Sequence, residues 1–274
     1  MLDWNATAFA LAAMLLLAAA GWVASIAKRD VSIVDSLWPL FFLLGAGVYT
    51  AATEAGPRAT LVLTLVAIWA VRLCAYLTRR NWGEPEDRRY RPIRARNEPG
   101  FQWKSLYLVF VLQVGLAVVI AVPLFAAVSS PAPLSLLDLG GSVLWLAGLA
   151  FEAVGDHQLA RFKRDPGNRG QVLDSGLWRY TRHPNYFGEA VLWWGLYLLA
   201  VAGGGWWTVF GPLLMTFLLL KVSGVTLLEQ DISERRPAYR DYIFRTNAFI
   251  PGPPRAADRK SSDQPRANET AQPR

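Results

Sequence analysis

Residues 105–128 read SLYLVFVLQVGLAVVIAVPLFAAV and contain no charged side chain. At a rise of about 1.5 Å per residue, an α-helix of this length crosses a hydrocarbon core of about 30 Å. Because lipid offers no hydrogen-bond partners, the segment must satisfy its own backbone groups, as a helix does. The run therefore predicts a transmembrane helix.

Similar apolar blocks recur along the whole chain. Of the 274 residues, 53% are hydrophobic and 18% are charged, a balance that is unusual for a soluble domain. The blocks are too long and too uniformly apolar for the strands of a membrane barrel. We therefore predict an all-α polytopic membrane protein of about seven transmembrane helices, with spans near 6–27, 36–53, 60–78, 105–128, 137–157, 185–202 and 206–228.

Lysine and arginine are concentrated in alternate loops. Two lie in residues 28–35, eight in 79–104, six in 158–184 and nine in 229–274, whereas the opposite loops contain Arg58 alone. This positive-inside pattern predicts an external N-terminus and a cytoplasmic C-terminus. The asymmetry also accounts for the net charge of +7. We therefore expect a lipid bilayer, and no nucleic acid, as the partner.

The first span has two interpretations. A secretory signal peptide is one, because the apolar run ending at Gly21 could precede a cleavage site. No Lys or Arg precedes the run, however, whereas Lys28 and Arg29 follow it, which favours an uncleaved helix.

The C-terminal residues differ in composition from the rest of the chain. Residues 252–274 are rich in Pro, Arg, Ser and Asp and nearly lack apolar side chains. Such a segment cannot offset the entropy cost of ordering itself. We expect residues 1–251 to form a single membrane domain and residues 252–274 to be a disordered cytoplasmic tail.

Metal and disulfide chemistry have few possible ligands in this sequence. Cys74 is the single cysteine and lies within a predicted span, and His157 and His183 are the two histidines. A structural zinc site or a disulfide framework needs more of these residues. We therefore expect no metal site.

The acidic and basic residues singled out in the predicted spans and at their ends cluster in the cytoplasmic half. Charges in lipid are costly and are functional candidates by default. They could simply extend to the interface or pair with loop arginines, or they could line a cavity open to the cytosol. For the set as a whole we favour the cavity. The set consists of Asp35, Arg72, Glu152, Asp156, Glu189 and Glu229.

Residues 174–189, DSGLWRYTRHPNYFGE, are the most informative segment of the chain. Pro184 is predicted to begin a membrane helix, because proline is tolerated in a first helical turn. The free N–H groups and the positive dipole end of that helix would then face the cytoplasm, a geometry suited to anions. The alternative is an ordinary basic loop before a proline-led helix.

Polar side chains crowd around this predicted helix start. Arg179 and Arg182 could supply forked donors to phosphate. Asn185 and Glu189, four residues apart, share a helical face and could bind an amide or a ribose. Other polar residues that could close over the same ligand are Asp156, Lys163, His183, Tyr186, Glu229, Tyr239 and Tyr242.

Three motifs in the C-terminal half resemble the steroid 5α-reductase-like membrane proteins, especially their bacterial branch. They are GLWRYTRHPNYFGE at 176–189, LLEQ at 227–230 and AYRDYIFRTNAFIP at 238–251. Weaker similarity extends to VDSLW at 34–38, WAVR at 69–72 and NWGEPEDRRY at 81–90.

This resemblance implies a seven-helix membrane enzyme that binds NADPH from the cytoplasmic side. Such an enzyme delivers hydride to an activated carbon–carbon double bond, as in an enone. The cofactor-binding part would be about 137–251. Carried over position by position, the residues that would hold NADPH are Asp156, Lys163, Arg179, Tyr180, Asn185, Glu189 and Tyr242.

The sequence departs from the steroid enzymes at the proton donor. Those enzymes place a tyrosine and an acidic or amide side chain on early helices, and here Trp69 stands at the position of that tyrosine. A steroid substrate is therefore only one possibility among hydrophobic small molecules that enter from the bilayer. The candidates that could replace the donor are Asp35, Arg72, Tyr76 and Tyr90.

A second enzyme class also resembles part of the chain. Arg182-His183-Pro184, followed by Tyr186 and Gly188, is similar to the isoprenylcysteine carboxyl methyltransferases, which use S-adenosylmethionine. Their acidic pair after the next span has only a loose counterpart in Glu229 and Asp231. A basic loop also suits a multiply anionic dinucleotide better than a zwitterionic methyl donor. We therefore favour the reductase interpretation.

A transporter or scaffold is a third, non-enzymatic interpretation, since charges in a membrane can line a pathway. Transport predicts polar groups near the midplane and an exit on the far side. Only Glu54 and Arg58 are expected at the outer surface, so we rank transport below both enzyme classes. The bacterial branch implies a location in the inner membrane.

Overall fold

The computed structural model of the protein describes residues 2–222, 224, 225, 229, 232 and 237–255. Most of the predicted C-terminal tail and Asp231 lie outside the described residues. Helices dominate the described part of the chain, which contains no β-strand.

Between residues 2–222 and 237–255, seven long helices and two short ones follow one another. A π-helical turn occupies Leu106–Val111 within α5, and a second one, Leu218–Val222, ends α8. The helices are α1 Trp4–Lys28, α2 Ile33–Ala52, α3 Ala59–Asn81, α4 Arg91–Asn97, α5 Phe101–Val128, α6 Leu136–Arg164, α7 Pro184–Ala202, α8 Trp206–Val222 and α9 Tyr239–Arg245.

Five of these helices are long and apolar enough to cross a membrane, namely α1, α2, α3, α5 and α6. Helix α7, with 19 residues, packs against α6 and α5. Helix α8, which is shorter, packs against α5 and α7. The prediction of an all-α polytopic membrane protein is confirmed. The number of seven spans and the orientation in the membrane stay predictions.

Alternate loops meet at opposite ends of the bundle. At one end, the Val31 N–H donates to Glu86 at 3.0 Å, so the first two basic loops are in contact. At the other end, the Gly56 N–H donates to the Val128 carbonyl at 2.8 Å, and Gly203 lies against Ser130. The end that carries residues 29–32, 82–100, 165–183 and 237–255 is called the basic end below.

Arg58 lies at the end of the bundle opposite the basic end, and its side chain is buried. Its guanidinium donates to both Asp138 carboxylate oxygens, at 3.0 and 3.2 Å, and to the Pro133 carbonyl at 3.1 Å. Asp138 also closes a capping box with Ser135 at the start of α6. The loop folds the Arg58 side chain inward, where Asp138 neutralises its charge. The side of the membrane on which this loop lies stays a prediction.

Helices α6 and α7 approach each other backbone to backbone through glycines. A Cβ atom at Gly148 of α6 would lie 2.4 Å from the backbone nitrogen of Leu192. A Cβ atom at Gly188 of α7 would lie 2.4 Å from the backbone nitrogen of Glu152. Small residues allow this close packing of membrane helices. The contact brings the acidic residues of α6 against those of α7.

We expect Gly148→Ala to lower the free energy of unfolding in detergent by about 1–3 kcal/mol, because the added methyl group must push two backbones apart. Gly140→Ala is the matched control on the same helix, since a Cβ atom there would meet nothing within 4 Å. That control should be neutral or stabilising by up to about 1 kcal/mol. Equal stabilities of the two variants would contradict the close contact.

Candidate active site

Two cavities adjoin at the basic end of the bundle. The inner chamber has a volume of about 310 Å³ and lies among α3, α5, α7 and α8. The outer cavity has a volume of about 710 Å³ and lies among the loops of the basic end. Both cavities share a wall, whose side chains are called the junction residues below. These are Tyr76, Arg80, Arg89, Asn185 and Tyr186.

The inner chamber is mainly apolar, with polar groups gathered on one side. Leucine, valine, isoleucine and methionine side chains from α3, α4, α5 and α8 form most of its wall. Such a wall with a few convergent polar groups is typical of a small-molecule site, and such sites measure roughly 300–1,000 Å³. The polar residues beyond the junction are Asp35, Tyr90, Gln113, Glu152, Asp156 and Glu189.

The outer cavity is more polar than the inner chamber, and most of its charged side chains are cationic. Its acidic residues are Glu84, Asp87 and Asp165. Arginine and lysine outnumber them, although Asp35 pairs with Arg89 and Glu229 pairs with Arg182. The cationic excess that remains favours an anionic ligand. The cationic lining residues are Arg80, Arg88, Arg89, Lys163, Arg169 and Arg182.

Asp35 connects the two cavities through an ion pair. One carboxylate oxygen accepts a hydrogen bond from Arg89 at 2.5 Å, and the other accepts one from the Tyr90 hydroxyl at 2.7 Å. Burial and then the charge of Asp35 raise the pKa of Tyr90 well above its ordinary value. Burial would lower the pKa of Arg89, but Asp35 and Asp87 outweigh it and raise that pKa. Tyr90 therefore keeps its proton and Arg89 its charge.

Arg72 binds the two carboxylates of α6, Glu152 and Asp156, from behind the wall of the inner chamber. Its guanidinium donates to Asp156 at 2.9 Å and also to Glu152. Asp156 accepts a further bond from the Asn185 amide at 3.2 Å. Glu189 is also buried and lines the inner chamber nearby. Three carboxylates thus surround one arginine.

Three buried polar atoms of this cluster have no hydrogen-bond partner among the described residues. They are Asn185 Oδ1, Glu152 Oε2 and Arg72 Nε. Buried polar groups are normally paired, so each such atom needs an explanation. A ligand or water that reaches the junction would supply one.

Arg182 binds the chain rather than an open ligand space. It donates to both oxygens of Glu229, at 2.7 and 2.8 Å, and to the carbonyl groups of Ile243 and Thr246. His183 Nε2 also lies 2.9 Å from Glu229. These contacts fix the C-terminal segment over the outer cavity. Burial alone would raise the pKa of Glu229, but the bonds from Arg182 and His183 lower it to about 2.

The start of α7 agrees with the sequence-based expectation. Pro184 is the first helical residue, and the next two residues, Asn185 and Tyr186, reach the junction of the two cavities. The His183 ring stacks on the Tyr186 ring with 5.6 Å between centroids. The predicted helix start therefore does face the outer cavity.

Of the remaining cofactor-binding candidates, two line the outer cavity and two line neither cavity. Lys163 and Tyr242 line the outer cavity, and the Tyr242 hydroxyl donates to the Trp178 carbonyl at 2.5 Å. Arg179 and Tyr180 are exposed and line neither cavity. Their backbone carbonyls instead accept bonds from the C-terminal segment.

Of the four proton-donor candidates, Asp35, Tyr76 and Tyr90 line the inner chamber, whereas Arg72 does not. Arg80, Arg89 and Gln113 also line the cavities, although none of them was predicted from the sequence as a site residue. Gln113 had a detectable signal, because an amide in the middle of an apolar span is costly and therefore a functional candidate. Arg80 gave no distinct signal among the many arginines near it. Arg89 lies within the motif at 81–90, but the motif does not show which of its side chains face a ligand.

Comparison with known proteins agrees with this geometry. Residues 21–246 match a family described as a protein of unknown function, DUF1295. The chain belongs to the DUF1295 family. The match covers all the helices and loops that form the two cavities, and it confirms the resemblance to the steroid 5α-reductase-like proteins.

Curated relatives of this DUF1295 protein include an uncharacterised protein of Schizosaccharomyces pombe, 26% identical over 84% of this chain and 75% of the relative. The 3-oxo-5-alpha-steroid 4-dehydrogenase 1 of Bos taurus is 42% identical over 25% of this chain and 26% of its own length. The Rattus norvegicus enzyme of that name is 32% identical over 41% of this chain and 40% of its length. The chain thus spans less than half the length of these dehydrogenases. No solved structure matches it.

We expect Glu229→Gln to lower the free energy of unfolding by about 1–3 kcal/mol at neutral pH, because Arg182 loses a charged partner. Because the pKa of Glu229 is lowered, the stabilisation that its carboxylate contributes is fully present above the ordinary pKa of 4.5. It is lost as the pH falls towards about 2.

The measurement is chemical unfolding of both proteins in detergent over this pH range, with exposed Glu84→Gln as the control. The difference between wild type and Glu229→Gln should shrink on acidification. A difference that stays constant at acid pH would contradict the ion pair as its cause.

Proposed function

We propose that this protein is an NADPH-dependent reductase of the bacterial inner membrane. It transfers hydride to an activated carbon–carbon double bond of a hydrophobic, lipid-like or steroid-like substrate. One observation carries the proposal: a cationic polar cavity and an apolar chamber share a wall of five side chains. A charged cofactor and an apolar substrate can meet at that wall.

The residues of the outer cavity suit NADPH. Phosphate groups need several cations, and arginine supplies forked donors to them. Arg80 and Arg169 line this cavity on different elements, together with Lys163. The unpartnered Asn185 Oδ1 at the junction suits an amide N–H donor such as the carboxamide of nicotinamide.

When bound, NADPH would supply the hydride, and the chain would supply orientation and exclusion of water. Asn185 and Glu189 would hold the carboxamide at the wall of the inner chamber. The apolar walls of α5 and α8 would keep water from the reacting carbon. Arg182, His183 and Glu229 would act indirectly by keeping the C-terminal segment over the outer cavity.

Tyr76 is the proton donor that the geometry favours. Asp35 already accepts two hydrogen bonds, the Tyr90 proton is directed to Asp35, and Arg72 lies outside the chamber wall. The Tyr76 side chain lines both cavities, and within the described residues its hydroxyl has no hydrogen-bond partner. It is therefore free to donate to a substrate at the junction.

The methyltransferase interpretation is less well supported. S-adenosylmethionine carries no phosphate and does not need a cavity with this excess of arginine. The basic loops of an inner-membrane protein are themselves expected, so charge alone does not decide. The dehydrogenases among the relatives favour the reductase.

We expect NADPH and NADP, but not S-adenosylmethionine, to raise the thermal stability of the detergent-purified protein, because a ligand that binds only the native state stabilises it. Arg80→Ala and Glu189→Gln should weaken NADPH binding more than about tenfold. Arg96→Ala is the control, because Arg96 is exposed at the same end and lines neither cavity. A shift with S-adenosylmethionine alone would overturn the proposal.

We expect Tyr76→Phe to lower the turnover number at least about 100-fold and to leave NADPH affinity unchanged, because it removes only the donated proton. Turnover is measured as loss of NADPH absorbance with progesterone, a 3-oxo-4-ene steroid, as the acceptor. Tyr107→Phe is the control, since Tyr107 is exposed on α5. Full turnover by Tyr76→Phe would show that Tyr76 is not the proton donor.

A further inference from the structure

Gln113 is an amide side chain in the middle of α5, where the other residues of 108–128 are all apolar. It lines the inner chamber, and its Nε2 atom lies 3.5 Å from the Tyr90 hydroxyl oxygen. Polar groups are costly at such positions, so their presence points to function. No feature of the proposed cofactor site accounts for Gln113.

The hydrogen-bond network fixes the orientation of this amide. Arg89 and Tyr90 both donate to the Asp35 carboxylate, at 2.5 and 2.7 Å. Tyr90 has a single proton, so its oxygen can only accept from Gln113. The amide must therefore present its NH₂ group to Tyr90. Within the part of the chain that the structure describes, the second N–H of that group has no hydrogen-bond partner, so it is available to the chamber.

A π-helical turn contributes to the position of Gln113 on the chamber face. Leu106–Val111 form that turn, one residue before α5 resumes α-helical geometry. A π turn contains about one extra residue, which rotates the residues that follow by about 100° around the helix. After it, Leu112, Gln113 and Leu116 all line the chamber.

We propose that the second amide N–H of Gln113 binds the carbonyl oxygen of the substrate and makes the protein specific for ketone-activated double bonds. This inference rests on the proposed reductase function and extends it to substrate recognition. Asp35 and Arg89 are positioning residues, which act on the substrate through Tyr90 and Gln113. A neutral donor held in this way stabilises a carbonyl oxygen that gains charge.

The reaction balances with this assignment. Hydride forms a new C–H bond at the β-carbon, and the π electrons move towards the carbonyl oxygen, where Gln113 holds the developing charge. The proton of Tyr76 then goes to the α-carbon as the carbonyl bond re-forms, and water restores that proton. The double bond is reduced and the dinucleotide is oxidised by the same two electrons.

The test is Gln113→Met, which keeps the length of the side chain and removes the amide. Binding of progesterone is compared with binding of its analogue that lacks the 3-oxo group. Wild type should bind progesterone more tightly than the analogue. In Gln113→Met the ratio of the two affinities should fall by about tenfold. Gln102→Met is the matched control, because Gln102 is exposed at the start of the same helix and should keep the preference.

Turnover measurements distinguish a failure of this inference from a failure of the proposed function. With progesterone and NADPH, Gln113→Met should lose about tenfold in kcat/KM while its NADPH affinity stays unchanged. An unchanged ketone preference and unchanged kcat/KM in Gln113→Met would overturn the role of Gln113, even if wild type is an active reductase. If wild type proves inactive with NADPH but shows a ketone preference that depends on Gln113, the proposed function fails and the carbonyl site stands.

Discussion

The close contact between α6 and α7 is the constraint on which the site depends. Glycines at 148 and 188 let the two backbones touch, with room for no side chain between them. Because Gly188 precedes Glu189 and lies against the backbone of Glu152, the two acidic residues meet at the same level of the bundle. Asn185, one turn earlier on α7, then reaches Asp156. A wider helix pair would separate these groups.

Placing three carboxylates together within a membrane bundle is unfavourable unless charge and hydrogen bonds compensate. Arg72 supplies part of this compensation from α3, through Glu152 and Asp156. The compensation is incomplete, because atoms of Glu152 and Asn185 remain unpartnered within the described residues. Stability alone does not explain such a cluster. The proposed binding of an amide at this site would account for both the acidic residues and their unpartnered atoms.

The sequence was sufficient for the fold class because lipid imposes few solutions. A long uncharged block such as residues 105–128 must be helical, whatever its neighbours are. The start of α7 was predictable for a local reason, since Pro184 suits a first helical turn. The burial of the Arg58 side chain was not predictable, because it depends on Asp138, 80 residues away along the chain. The number of spans and the side of the membrane at which each loop lies remain predictions.

The candidate site was predictable only in part, for a similar reason. A motif such as RHPNYFGE identifies polar residues, but not which of them face a ligand and which face the protein. Arg182 illustrates the difference, because its donors are used by Glu229 and two backbone carbonyls. Gln113 illustrates the opposite case of a residue outside the motif that does face a cavity. Its proposed role depends on Tyr90, which a loop brings against it. Such pairings are properties of packing rather than of spacing.

The arrangement of the two cavities limits the chemistry that the protein can perform. A polar cavity alone would suit many anionic ligands, and an apolar chamber alone would suit many lipids. Two ligands, one in each cavity, would both approach Tyr76, Asn185 and Tyr186 of the shared wall. A transporter has no need for two chemically different compartments that meet at one wall. Group transfer from a charged carrier to an apolar acceptor does need them, which is why the geometry favours an enzyme.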